Sequence, residues 1–100
     1  MWRLVSIKSL SPSNIHKFVA EFKDKDTGKM KKTKFGRRPY QDYTIHKDRQ
    51  RRELYRLRHE KDLQTKDPTR AGYLSYYLLW GDSTSLQKNI QEFKKKFNLS

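Results

Sequence analysis

Between Tyr43 and Glu60 the sequence YTIHKDRQRRELYRLRHE crowds two histidines and six basic residues, with carboxylates between them, into eighteen positions. Catalysis is the first chemistry such a cluster suggests. His46, Lys47 and Asp48 are superficially similar to a phosphodiesterase signature. That chemistry needs a lysine two positions after the histidine, an aspartate further on and a duplicate motif, and neither the spacing nor the duplication is present. A nucleophile, a base and an orienting group must also converge in one pocket. The chain carries no G-x-S-x-G elbow, no phosphate-cradling P-loop and no H-E-x-x-H pair. Metal binding has no better support: His16, His46 and His59 lie far apart, and DKDTG has too few oxygen donors for a calcium loop. The expectation is a non-enzymatic protein with no metal, no cofactor and no small-molecule substrate.

The same residues suit the binding of anions. Arg49, Arg51, Arg52, Arg56 and Arg58 fall in one predicted helix, and a guanidinium fork matches phosphate geometry better than an ammonium does. At about 100° per residue, Arg49, Arg52 and Arg56 form one stripe and Arg51 and Arg58 another flank, so together they wrap the helix. The alternative is a solvated face laced by Asp48–Arg52 pairs and by Glu53 with Arg49 or Arg56. Upstream, Lys29, Lys31, Lys32 and Lys34 are too many for one strand to bury, so at least one face meets solvent or a partner. Lysines also guard an edge strand against unwanted pairing. Arg37 and Arg38 continue the run, with Tyr40 and Tyr43 placed either to stack on bases or to anchor the following helix.

Positioning these side chains needs a folded scaffold. One hundred residues suffice for a single small basic domain over 1–100, and a hydrophobic share of 33% implies a thin core in which aromatic rings carry much of the burial. HKFVAEFKDKDTGKMKKTKFG reads as a β-hairpin over about residues 17–36: Phe18, Ala20 and Phe22 alternate, and Gly28 can take the positive φ of the turn. After the connector GRRPYQDYT, a helix is expected over about 48–62, with Leu54, Leu57 and the stem of Lys61 on one side and Tyr55 beside them. A second is expected over about 68–80, with Asp67 as N-cap, Pro68 in the first turn and Gly81 as the stop. A third, over about 84–97, has Thr84 and Gln87 as a capping box and Leu86, Ile90, Phe93 and Phe97 on one face. The expected architecture is α+β, an N-terminal β-hairpin packed on a three-helix C-terminal part. Its expected core is Phe18, Phe22, Leu54, Leu74, Leu78, Leu86, Ile90, Phe93 and Phe97.

Lys and Arg number 24 against 11 Asp and Glu, a formal net charge of +13. The excess is spread unevenly, net +8 over residues 1–40, +3 over 41–66 and +2 over 67–100. A chain so charged seeks polyanions: nucleic acid, an anionic membrane or acidic protein surfaces. The absence of cysteine excludes disulfides, thiolate nucleophiles and the usual zinc-finger ligands. MWRLVSIKSLSPS lacks the long apolar centre of a signal peptide, and YLSYYLLW is far short of the roughly 20 residues that span a bilayer. Lys88 and Lys94 to Lys96 lie opposite the apolar stripe of the last helix, as at a membrane surface. A helix that closes a small core has the same pattern, and this chain needs those apolar groups internally.

DYTIHKDRQRRELYRLRHE, DPTRAGYLSYYLLWG and SLQKNIQEFKKKFNL together resemble a family of small basic proteins, mostly without assigned function, encoded by nucleocytoplasmic large DNA viruses such as phycodnaviruses, iridoviruses and their giant-virus relatives. The resemblance extends over about residues 17–99, with Asp42 to Asp48, Ala71 to Ser75, Leu79 to Trp80 and Phe93 to Leu99 matching the family's blocks. DLQTKD, where relatives often carry a tryptophan, and the Tyr76–Tyr77 pair depart from it. The resemblance implies a viral, non-enzymatic protein found in the virion, and during assembly in the host cytoplasm or virus factory. It supplies no binding residues. Those expected to meet an anionic surface, whether of capsid proteins or viral DNA, are Lys29, Lys31, Lys32, Lys34, Arg37, Arg38, Arg49, Arg51, Arg52, Arg56 and Arg58. The aromatic supply, Trp2 included, exceeds what one helical layer needs, and no single tract concentrates the charge. Both features favour a minor capsid or cementing protein, with a non-specific genome-packaging protein as the alternative.

Overall fold

A computed structural model covering residues 1–100 places a strand, β1 (Trp2–Ser9), ahead of the expected hairpin of β2 (His16–Asp24) and β3 (Met30–Arg37). The three make an antiparallel sheet in the order β1-β2-β3. In the hairpin Phe18 lies opposite Phe35, Ala20 opposite Thr33 and Phe22 opposite Lys31, so the alternating apolar set shares one face. The turn closes because the Asp24 carboxylate accepts the Asp26 N–H at 2.8 Å and Gly28 adopts a φ of +75°. β1 hides its periodicity behind a bulge. Leu4 faces Phe22 and Ser6 faces Glu21, which leaves Val5 as an extra residue and shifts the phase of the strand.

Four helices follow. A single turn, α1 (Tyr43–His46), is capped by Asp42, whose carboxylate accepts the Thr44 N–H and the Lys17 ammonium, each at 2.9 Å. α2 (Arg49–His59) continues as a 3₁₀ segment, Glu60–Thr65. Asp48 accepts the N–H groups of Gln50 and Arg51 at the start of α2, so it is a cap and not the partner of Arg52.

α3 (Ala71–Leu74) begins later than the punctuation predicts. The Asp67 carboxylate turns onto the N–H and hydroxyl of Thr69, at 3.0 and 2.6 Å, and Thr69 ties the loop to the sheet by accepting the Thr33 hydroxyl on its carbonyl at 2.8 Å. Arg70, with extended backbone, is left as the N-cap. The helix widens into a π-helical stretch, Ser75–Leu79, where Tyr76, Leu78 and Leu79 are all buried. Gly81 follows the last turn as expected, but for want of space: a Cβ there would sit 2.2 Å from the Tyr77 carbonyl. α4 (Leu86–Lys96) is capped by Ser85, which accepts the Lys88 N–H at 3.3 Å. The expected Thr84–Gln87 box is therefore out of register by one residue, and lysine at the third helical position cannot return the bond.

The helices cover one face of the sheet. Leu4, Phe22 and Phe35 meet Leu74, Leu78, Leu79 and Phe93 in the core, with Phe18, Leu86, Ile90 and Phe97 packed around them. Each large side chain so buried contributes roughly 1.5–3 kcal/mol over leaving it in water. Leu54 does not belong to this core. It is 55% exposed and Leu57 71%, because α2 turns Arg52, Tyr55, Arg56 and His59 inward instead. No helix is long and apolar enough to cross a membrane.

Candidate functional site

The basic residues singled out above divide by what their side chains meet. Four are internal fasteners. Lys31 points to the core side of β3, where its Nζ donates to Thr69 Oγ1 at 2.7 Å and lies 6.0 Å from the Trp2 ring. Arg38 folds over the β1–β2 loop, its Nη2 donating to the Leu10 carbonyl at 3.0 Å and its Nε to that of Asn14 at 3.1 Å. Arg52 donates from Nε to the Gly81 carbonyl at 2.7 Å and from Nη2 to Asp82 at 2.6 Å, and also pairs with Glu53. Arg56 donates to the Trp80 carbonyl at 3.1 Å, with its guanidinium 4.5 Å from the Tyr76 ring. Both carbonyls lie just past a helix C-terminus, where acceptors lack intrahelical partners and positive charge is favoured. The stripe of Arg49, Arg52 and Arg56 read from the sequence is thus divided, and only Arg49 faces solvent.

Lys29, Lys32, Lys34, Arg37, Arg49, Arg51 and Arg58 are exposed, and none is engaged by a carboxylate. Two surfaces collect most of them. The first is the open face of the sheet, where cross-strand rows place Arg3, Lys23 and Met30 together, then Ser6, Glu21 and Lys32, then Lys8, Val19 and Lys34. Five cations there meet one carboxylate, Glu21, held at 3.4 Å by Lys8. Sequence reasoning missed Arg3, Lys8 and Lys23. Arg3 and Lys8 are five apart, which in a regular strand puts them on opposite faces; the Val5 bulge brings them to the same one.

The second surface is a cleft of about 800 Å³ between the end of β3 with its connector and α2. Phe35, Leu79 and Trp80 line its interior. Lys34, Arg37, Arg51 and Arg58 also line it, with Tyr40 and Leu54. Lys34 borders both the cleft and the open sheet face. The carboxylates in the cleft are occupied: Asp42 by Lys17 at 2.9 Å, and Asp62 by His59 Nδ1 at 3.0 Å. Of the two tyrosines read as base-stacking candidates, Tyr43 is buried at the base of α1, whereas Tyr40 is 68% exposed.

Behind the cleft runs a ladder of rings. Tyr55 stacks at 4.1 Å on both Trp80 and His59, and His46 lies 5.2 Å from Trp80. Burial pushes the Tyr55 phenol up to about 12, which keeps it protonated. Burial, followed by the charge of Arg51, holds His46 below its usual value, and its Nδ1 accepts the Asp48 N–H at 2.9 Å. His46 is therefore a packing and turn-bracing residue. No three His, Asp or Glu side chains converge as a metal would require. The arrangement can hold anions and flat rings.

Neither the curated proteins nor the solved structures contain a match to this chain. One family model does match, over residues 8–59, a span that runs from the end of β1 through the hairpin and both walls of the cleft to the last residue of α2. On that match the chain belongs to a family of unknown function (DUF5754).

Proposed function

We propose that this protein is a non-enzymatic structural protein that binds double-stranded DNA without sequence preference, in the setting of a large DNA virus particle to which its sequence blocks are similar. One observation carries the reading: an uncovered sheet face bearing Arg3, Lys8, Lys23, Lys32 and Lys34 against a single carboxylate. Four of these five are lysines, point charges on flexible stems that suit phosphates and read base edges poorly. The supply of aromatic rings, which by itself favours a capsid neighbour, is largely consumed within the fold: Trp80 stacks on Tyr55, and Phe97 packs against Tyr73 and Tyr77.

Anisotropy titration of a labelled duplex against salt tests this. With four or five phosphates neutralised, the plot of log K against log salt should have a slope of about −4. Lys23→Glu with Lys32→Glu should flatten it. No binding of duplex at low salt would sink the proposal. A second reading, a minor capsid or cementing protein, is favoured by the side-by-side exposure of Leu54 and Leu57 between Arg51 and Arg58. An apolar patch with a basic rim suits an acidic protein neighbour. On that reading, Leu54→Lys with Leu57→Lys detaches the protein from particles and leaves duplex binding intact.

A further inference from the structure

We propose that the cleft between β3 and α2 is a nucleotide site, which takes one unstacked nucleotide with its base inward and its phosphate at the basic rim. The proposal rests on the nucleic-acid reading above but concerns a different surface. Its volume, about 800 Å³, is that of a small-molecule site. A duplex is too wide to enter such a concavity, whereas a single strand can turn a base into it. Leu54 and Tyr40 give it exposed apolar surface over the buried Phe35, Leu79 and Trp80, and Arg37, Arg51 and Arg58 stand around it with no carboxylate partner.

One further feature points to a flat ring in particular. Tyr40 is 68% exposed and, His16 aside, is the one cleft aromatic with no ring partner within the molecule, so its ring is available to stack. A run of acidic side chains brings charge for the rim but no flat ring for Tyr40. A nucleotide brings both.

The experiment uses the full chain, with a short single-stranded oligodeoxynucleotide, a duplex and AMP as separate probes. Tyr40→Ala should weaken the single strand by about 5-fold to 150-fold, the span of base–aromatic stacking, and leave duplex affinity unchanged. The side chain is exposed, so the fold should tolerate the change. Arg58→Gln should lower single-strand affinity in the same direction. AMP binding with the same dependence on Tyr40 would identify a free nucleotide as sufficient; binding of the oligonucleotide alone would identify the strand as the ligand. Equal losses for single strand and duplex, no loss with Tyr40→Ala, or displacement of the oligonucleotide by polyglutamate through Tyr40 would each overturn the proposal. Single-strand binding that depends on Tyr40 without any duplex binding would leave the cleft standing and remove the sheet-face reading.

Discussion

Arg51 and Arg52 are neighbours in sequence with opposite roles, and replacing each by methionine separates them. Methionine keeps the unbranched apolar stem and deletes the guanidinium. At Arg52 the loss is a charge-assisted bond to the Gly81 carbonyl at 2.7 Å, in a residue that is itself buried, and such a bond is worth about 1.5–3 kcal/mol. The pair with Asp82 adds little, about 0–1 kcal/mol, because that carboxylate is 76% exposed and screened. The guanidinium also lies 5.5 Å from the Tyr43 ring, a contact of about 0.5–1 kcal/mol. A loss of about 2–5 kcal/mol follows, which for a domain of this size lowers Tm by about 10–25 °C. Arg51 is exposed and holds no partner, so its replacement should move Tm by no more than about 2 °C. Thermal unfolding by circular dichroism measures both. Equal Tm values for the two variants, with anion binding lost in Arg52→Met, would refute the division of these arginines into fasteners and free cations.

Leu54→Lys with Leu57→Lys should change stability by less than about 1 kcal/mol by urea denaturation, whereas a core position would cost several times that. Asn89 is buried, with its Nδ2 donating to the Leu78 and Ser83 carbonyls at 3.0 and 2.8 Å and its Oδ1 accepting the Ser83 N–H at 3.1 Å. Asn89→Leu strands those groups and should cost about 2–4 kcal/mol in the same assay. His46 favours its neutral form in the folded protein, so its contribution to stability is complete above the unfolded value of 6.5. That contribution falls as pH drops through the lower folded value, when a proton on Nδ1 displaces the Asp48 N–H. Stability measured between pH 7 and 5 should decline in the wild type and decline less in His46→Gln.

What could be read from the sequence was what neighbouring residues decide among themselves. The hairpin followed from the alternation of Phe18, Ala20 and Phe22 and from Gly28 in the turn. The three main helical regions followed from their spacings, and the α+β class from both. Caps were legible only to within a few residues, because Asp67 had a competing use in Thr69 and Ser85 stood beside an equally plausible Thr84. β1 was hidden by one extra residue at Val5, since a bulge cancels the period by which strands are recognised.

The basic composition, the hairpin and the helical regions were therefore determined locally and could be read without a structure. The direction in which α2 faces was not. Its periodicity allows either a leucine side or an arginine and tyrosine side to turn inward. The choice was made by the carbonyls of Trp80 and Gly81, the Asp82 carboxylate and the ring of Tyr76, each twenty or more residues along the chain from the arginine it meets. Only the tertiary structure brings those acceptors to α2, and with them it decides which arginines are fasteners, which remain free, and that a cleft opens between the helix and the sheet. Side-chain spacing sets what a segment can bury, but the unsatisfied groups of a distant segment set what it does bury.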